Sequence, residues 1–488
     1  MRRRGRVVLA GAVAWCVSLA VPGGAEAGAA PSAGRAVTAG VWGKAIEVPG
    51  TGALNKGGNA QPVFVSCPSA GNCGGGGAYF DGTGDLQVFV VSERNGVWRK
   101  AIEMPGSAAL NKGGAADLVS LSCASAGNCA AGGFYSGGPQ HQQAFVVNER
   151  QGVWGKAIKV PGTAALNTGE IAQLETVSCP SAGNCAAAGD YFDGSSQQAF
   201  VVSERHGVWR KAITVPGLRA LNTGGIAMPS SVSCASAGNC AVGGIFTDRF
   251  SHQLVFVVSD RNGVWGKAIE VPGSGALNTR GAANLDTVSC PSAGNCVAAG
   301  DYWGRSGHQA FVVSERHGVW GKAIKVPGLR ALNTRGAAEV VSVSCPSAGN
   351  CSAGGFYTNG PGQFHTTPQA FVVSERNGVW RKAIEVPGTA ALNQGGEAGL
   401  TSVSCPSAGN CAAGGDYTDG SHHQQAFVVS ERHGVWRRAI KVPGSGTLNA
   451  TGLAEVTSVS CALAGNCAAG GDYVDASGNQ QAFVVSER

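Results

Sequence analysis

The string Gly-Val-Trp occurs eight times, with its Trp at 42, 98, 154, 209, 265, 320, 380 and 436, at intervals of 55 or 56 residues and one of 60. A second string, Ala-Gly-Asn-Cys, keeps the same beat and ends at Cys73, Cys129, Cys185, Cys240, Cys296, Cys351, Cys411 and Cys467. A period of this length restricts the chain to stacked or ring-closed repeats, because one such unit cannot bury its apolar face alone. Thr401 to Gly444 shows what a unit contains. Thr-Ser-Val-Ser-Cys is a short β-branched strand, Pro-Ser-Ala-Gly-Asn a turn, and Cys-Ala-Ala-Gly-Gly-Asp-Tyr a second strand whose glycines announce close backbone approach or a bulge. A loop follows, then the strongest strand, Gln425 to Glu431, with Phe427, Val428 and Val429. The tight turn Arg432-His433-Gly434 leads to a fourth strand ended by Pro443-Gly444.

The turn before the fourth strand carries Asn-Gly, Gln-Gly or His-Gly in all seven internal copies, as in Asn95-Gly96 and His206-Gly207. A two-residue hairpin turn with two left-handed positions demands such pairs. Each repeat is therefore a four-stranded antiparallel meander, and eight of them predict an all-β fold, an eight-bladed β-propeller. A β-helix coil would be much shorter, and a trefoil has three repeats. The chain enters the repeats on a lone fourth strand, Val41 to Val48, and reaches Arg488 just after a third strand. Residues 40–50 are thus expected to supply the outer strand of the last blade, a clasp that removes an open edge.

Sixteen of the 17 cysteines form C-x5-C pairs: Cys67/Cys73, Cys123/Cys129, Cys179/Cys185, Cys234/Cys240, Cys290/Cys296, Cys345/Cys351, Cys405/Cys411 and Cys461/Cys467. Each pair flanks a hairpin, so disulfides are expected, each worth about 2 kcal/mol in the chain-entropy account of a seven-residue loop. Zinc is disfavoured, since there is no C-x2-C and no His repeats beside the pairs. The seventeenth, Cys16, falls in the leader. Arg2, Arg3, Arg4 and Arg6 precede an apolar run, Val7 to Val21, and Ala25-Glu26-Ala27 completes an A-x-A site. Residues 1–27 are read as a secretory signal peptide, 28–39 as a flexible linker and 40–488 as the propeller. A secreted, extracellular location follows. Removing the leader lowers the net charge from +6 to +3, which does not suggest nucleic-acid binding, and no later stretch reaches the ~20 apolar residues of a membrane span. A monomer is expected.

The order Trp, Pro-Gly, Leu-Asn, Val-Ser-Cys and Cys-Ala-Ala-Gly-Gly resembles secreted bacterial propellers of the sialidase-like, BNR type, over residues 40–488. The resemblance implies the fold and leaves the activity open. It has one departure. The Asp-box of that type, S-x-D-x-G-x-T-W, is met here by Ser259-Asp260-Arg261-Asn262-Gly263-Val264-Trp265, one residue shorter and with Arg in the Asp position. The boxes are degenerate, and no sialidase catalytic residue carries over.

Positions identical in every copy are first explained by the fold. The eight Trp are expected between neighbouring sheets. Each Leu-Asn pair should plug a blade junction and bond local backbone, an exposed ring of sugar-binding Asn being the alternative. The Ser-Glu-Arg triplets are read as solvated edge charges, and the D-Y-x-D pairs Asp190/Asp193, Asp416/Asp419 and Asp472/Asp475 as turn chemistry with too few ligands for calcium.

Positions that differ between copies are the better candidates for a unique site. Second-to-third-strand loops and inter-blade connections share one face, and there blades four to six stand out. Blade four carries Asp248, Arg249, Phe250 and His252; blade five carries Trp303, Arg305 and His308; blade six carries Phe364 and His365. The connections add Arg219, Arg280, Arg330 and Arg335. Arginine forks suit carboxylate, sulfate or phosphate, and aromatic faces stack on sugars. The residues proposed to bind ligand are Arg219, Arg249, His252, Arg280, Trp303, Arg305, His308, Arg330, Arg335 and His365, set against a solvated, freely drifting loop surface. No catalytic constellation, cofactor motif or metal site is identifiable: there is no nucleophile elbow, phosphate loop or HExxH. The expected function is a secreted recognition module for a glycan, a cell-wall or other anionic cell-surface polymer, or an extracellular protein. A glycan-active hydrolase or lyase, which requires a central pocket with paired carboxylates, and a passive envelope or matrix role remain open.

Overall fold

The computed structural model describes residues 40–138, 141–334, 336–359 and 367–488. The leader and linker expected at 1–27 and 28–39 lie outside them, as do Arg335, Phe364 and His365.

Eight antiparallel sheets succeed one another along the chain. Blade five shows the plan. Its innermost strand is Ala283–Ser292, followed outward by Asn295–Gly304, Gly307–Arg316 and a fourth strand broken into Val319–Trp320 and Ile324–Lys325, both paired with the third. The sequence reads this last strand as continuous. A bulge interrupts it, because Gly321 bonds back to Ser314 while Ala323 turns away to the Pro272 carbonyl of the preceding blade. The hairpin turns take the left-handed pairs expected of them, as at His317 (φ 48°) and Gly318 (φ 79°). Innermost strands pack side by side around the full circle, the first against both the second and the eighth. Ile46–Glu47 pairs with Gln480–Glu487, and Trp42 bridges Glu487, so the first strand does complete the last blade.

The core consists of eight clusters, one per blade junction. In one, Ile245, Val255 and Val257 of blade four meet Leu285, Tyr302, Phe311 and Trp320 of blade five. Glycine makes this contact possible: a Cβ on Gly243 would stand 2.3 Å from Leu285 Cδ2. Within blade seven glycine likewise lets paired strands approach, since a Cβ on Gly415 would stand 2.0 Å from the Gly399 carbonyl oxygen. Trp320 is 8% exposed and donates its indole N–H to Ser259 Oγ of the preceding blade, 3.2 Å away. The Trp residues thus lie between sheets as expected.

Each innermost strand is also a sheet edge, whose outward N–H groups need acceptors. Serine supplies them. The N–H of Cys123 bonds Ser66 Oγ of the preceding blade, and the same bond recurs at Cys179, Cys234, Cys290, Cys345, Cys405 and Cys461, closing with Cys67 on Ser460. Sequence periodicity shows a Val-Ser-Cys strand; the structure shows why its serine recurs.

All eight disulfides form as paired in the sequence. Each internal disulfide hairpin is tied to the neighbouring fourth-strand turn, for example by Gly318 N–H on the Gly294 carbonyl.

The Ser-Glu-Arg triplets correct the sequence reading. Glu93, Glu149, Glu204, Glu315, Glu375, Glu431 and Glu487 are at most 2% exposed. Each meets the arginine of the blade before it, Arg488, Arg94, Arg150, Arg261, Arg316, Arg376 and Arg432 respectively, within 3.8 Å. These charges bridge blades beneath the disulfide face. Buried acids persist where a cation and hydrogen-bond donors meet them, and Ser374, Ser352 and Arg376 all reach Glu431.

Candidate functional site

The opposite end of the strands carries the second-to-third-strand loops and the one-turn helices between blades. The Leu-Asn pairs sit here. Leu277 packs against its blade junction, and Asn278 is buried, its amide donating to the Gln253 carbonyl and its Oδ1 accepting from Ala282 N–H. All eight of these Asn are at least nine-tenths buried, so an exposed sugar-binding ring of Asn does not exist. The second Asp of each D-Y-x-D pair caps its loop as expected: Asp193 Oδ1 accepts from the Ser195 and Ser196 N–H groups.

Asp248 does the same in blade four, holding Phe250 and His252 N–H at 2.8 and 2.9 Å. That ordered loop presents Phe250, 63% exposed, with the Arg249 guanidinium 4.7 Å from its ring centroid and His252 at 5.8 Å. His252 also bonds Asp248 Oδ2 at 3.0 Å. In blade five the strands run on to a two-residue turn, placing Arg305 at its exposed tip and pairing Trp303 with His308. Trp303 is 45% exposed, with its ring centroid 6.1 Å from that of His308. Among the described residues, Phe250 and Trp303 are the exposed aromatic side chains.

Backbone contacts join the two. Gln253 N–H bonds Gly281, against which His252 packs, and Arg280 N–H bonds the Trp303 carbonyl at 3.1 Å. Phe250, His252, Arg280, Trp303 and His308 therefore form one continuous surface. Arg305 is exposed at the turn beside Trp303, and Arg330 is exposed in the one-turn helix Leu329–Leu332 that leads into blade six. Arg219 is drawn instead toward blade three, where it pairs with Asp193 at 2.5 Å.

His308 leads inward to residues that the sequence reading missed. Its Nε2 bonds Asp301 Oδ2, and this bond holds the imidazole above its usual range. Asp301, Asp286 of the innermost strand and Glu339 of the next blade's innermost strand bring carboxylate oxygens within 4.8 Å of one another. Burial, then the Asp301 and Glu339 charges, pushes Asp286 up to about 8. Its Oδ2 is buried without a hydrogen-bond partner. Such an oxygen set could hold a hard divalent cation. Two related groups stand elsewhere on the inner wall: Glu175 with Asp190, and Glu455 with Asp472. Burial and the neighbouring aspartate raise each glutamate to about 7. The signal for these acids lay inside strands. At the register position of Asp301 the copies read Ala78, Phe134, Asp190, Ile245, Asp301, Phe356, Asp416 and Asp472, a variation between acid and apolar that attention to the loops overlooks.

No family model matches the chain, and no curated protein matches it. Among solved structures it is similar to Sqt1 of Chaetomium thermophilum (11% identity, 91% of this chain and 98% of that one, TM-score 0.49). It is also similar to the β-propeller domain of the Trilobed protease of Pyrococcus furiosus (8%, 78% and 98%, 0.41) and to a Hadza microbial sialidase (10%, 74% and 73%, 0.34).

Proposed function

We propose that this chain is an exported recognition module that binds a glycan on the loop face of blades four to six. The observation that carries the reading is the pair of exposed rings, Phe250 and Trp303, on adjacent blades and joined through His252, Gly281 and Arg280. Burying an aromatic ring is favourable, so two rings held out in water by ordered loops need a use, and stacking on sugar rings supplies one. Arg249, Arg280 and Arg305 stand beside them, Arg330 is exposed on the connection leading into blade six, and such guanidinium groups suit anionic substituents on the same glycan. Export rests on the expected leader and on eight disulfides, which persist in oxidising compartments. Among the described residues no helix is long and apolar enough to cross a membrane.

The test is an array of neutral and anionic glycans and cell-wall polymers, probed at low and high salt. Phe250→Ala and Trp303→Ala should each weaken binding about tenfold, equivalent to about 1.4 kcal/mol. Arg249→Ala with Arg305→Ala should remove most of the salt dependence. Unchanged affinity in both aromatic variants would falsify the reading, and silence across the array favours a passive envelope role.

A second reading, glycan hydrolysis, is favoured by Asp286. A carboxyl that stays protonated near neutral pH beside Asp301 is what a general acid requires. Release of reducing ends that disappears in Asp286→Asn would establish it; binding without turnover would remove it.

A further inference from the structure

Seven of the eight grooves between blades on the disulfide face are bridged by the same ion pair. The groove between blades three and four departs from them. Its acid is Asp260, one methylene shorter than the glutamate of the other seven copies. Among the described residues, no ion pair within 4 Å joins Asp260 to Arg205, the arginine in the corresponding position. Asp260 is 3% exposed, and its Oδ1 has no hydrogen-bond partner. Burial lifts its carboxyl to about 6, with Arg205 and then the Gly263 backbone N–H opposing the rise.

Arg205 also lacks a bond that five of its counterparts make. Arg94, Arg150, Arg261, Arg316 and Arg488 each also donate to a glycine carbonyl of the next blade. Arg205 lies across Gly263 without that bond. Where Ser259 and Ser430 donate to the next blade's acid, Ser203 does not reach Asp260. The groove holds a cavity of about 150 Å³ lined by Pro180, Asn184, Ser203, Arg205, His206 and Asp260. Two other grooves hold larger cavities, about 250 and 440 Å³, but there the glutamates are already met by arginine. The Glu375 Oε2 of the blade five–six groove also lacks a hydrogen-bond partner, but its other oxygen meets Arg316; what distinguishes the blade three–four groove is an acid and an arginine that do not meet each other, not room.

We propose that this groove is a binding subsite for a neutral polyhydroxylated ligand, a single pyranose or a polyol, with one hydroxyl donating to Asp260 Oδ1 and its neighbour accepting from Arg205. A buried acceptor without a donor is costly, so a ligand that donates there recovers the loss. The charge balance selects the class. Asp260 and Glu204 disfavour an anion, Arg205 disfavours a cation, and adjacent hydroxyls satisfy both charges at once. Pro180 gives one wall an apolar face for the C–H side of a sugar ring. The subsite lies on the opposite face from Phe250 and Trp303, so it stands or falls apart from the reading above.

Calorimetry and saturation-transfer NMR with D-glucose, D-galactose, N-acetylglucosamine and glycerol, on the disulfide-intact chain, test it. One site per chain is expected. Asp260→Glu restores the residue of the other seven copies, so it should raise the melting temperature while weakening binding at least tenfold. Conversely, Glu315→Asp should open the next groove and raise the stoichiometry from one to two. Unchanged affinity in Asp260→Glu overturns the proposal, as does a stoichiometry near eight or failure of every probe to bind. Binding of glycine but of no sugar would overturn the ligand class. Binding lost in Trp303→Ala yet kept in Asp260→Glu would move the ligand to the loop face and overturn the subsite.

Discussion

Glu431 is fully buried, accepts from Arg376 at 2.5 Å and from two serines, and lies in a triplet that reads in sequence like an exposed strand end. Its partner keeps 21% of its side chain in solvent, and that asymmetry sets the mutational outcome. Arg376→Met strands a buried carboxylate and should cost about 3 kcal/mol, the penalty of an uncompensated internal charge. Glu431→Gln leaves an amide that can still bond both serines, while Arg376 rehydrates, so it should cost nearer 1.5 kcal/mol. Guanidinium unfolding with disulfides intact compares the two; a larger loss in Glu431→Gln would show that the cation, not the acid, depends on the pair. The burial of this glutamate was illegible because strand alternation gives the face of a side chain but not whether a neighbouring blade covers it. For the same reason His308 was visible as a loop residue, while Asp301 beneath it was not.

At the scale of the element, the second-strand hairpin carries the local stability. Its disulfide was legible from the C-x5-C spacing, and its turn from Ala-Gly in a run of small residues. The tie from Gly378 N–H to the Gly349 carbonyl was not, since it links two turns that only the meander brings together. Replacing Cys345 and Cys351 together by Ala should cost about 2 kcal/mol. Because each repeat contacts chiefly its neighbours, the loosening should stay in blade six and the adjoining hairpins. Hydrogen exchange should speed in Ala338–Ser347 and Asn350–Asn359 and remain unchanged in blade two; acceleration spread evenly around the ring would show that the disulfides act on the whole circle instead. The fourth strand shows where element-level reading stops. Alternation would put its Trp and Ile, four residues apart, on one face, yet Trp320 is buried and Ile324 exposed, because the strand breaks between them where Ala323 bonds across to Pro272, a contact made by another blade.

For the whole molecule, eightfold repetition and ring closure were written in the sequence, because every copy repeats the same turns and the ends divide one blade. The distribution of charge around the inner wall was not, since it depends on which blades face each other. Asp286, Glu175, Glu455 and Asp472 are raised to about 8, 7, 7 and 6, by burial first in every case. Their unfolded counterparts release protons near pH 4. Between about pH 4 and 8 the folded chain therefore binds more protons than the unfolded one, and stability must fall as pH rises. The elevated His308 acts in the same direction, its contribution also lost as pH climbs through its folded value. The thermal midpoint should be highest near pH 5 and lower by several degrees at pH 8.5, each kcal/mol corresponding to roughly 1 °C in a chain of this size. Scans should include a chelator, because a divalent cation among Asp286, Asp301 and Glu339 would neutralise the cluster and flatten the trend. Asp286→Asn with Glu175→Gln should remove much of the slope while raising the midpoint at pH 8.5. A midpoint that instead rises from pH 5 to 8.5 would mean that these acids are ionised in the folded ring, held by cations or water that repay their burial.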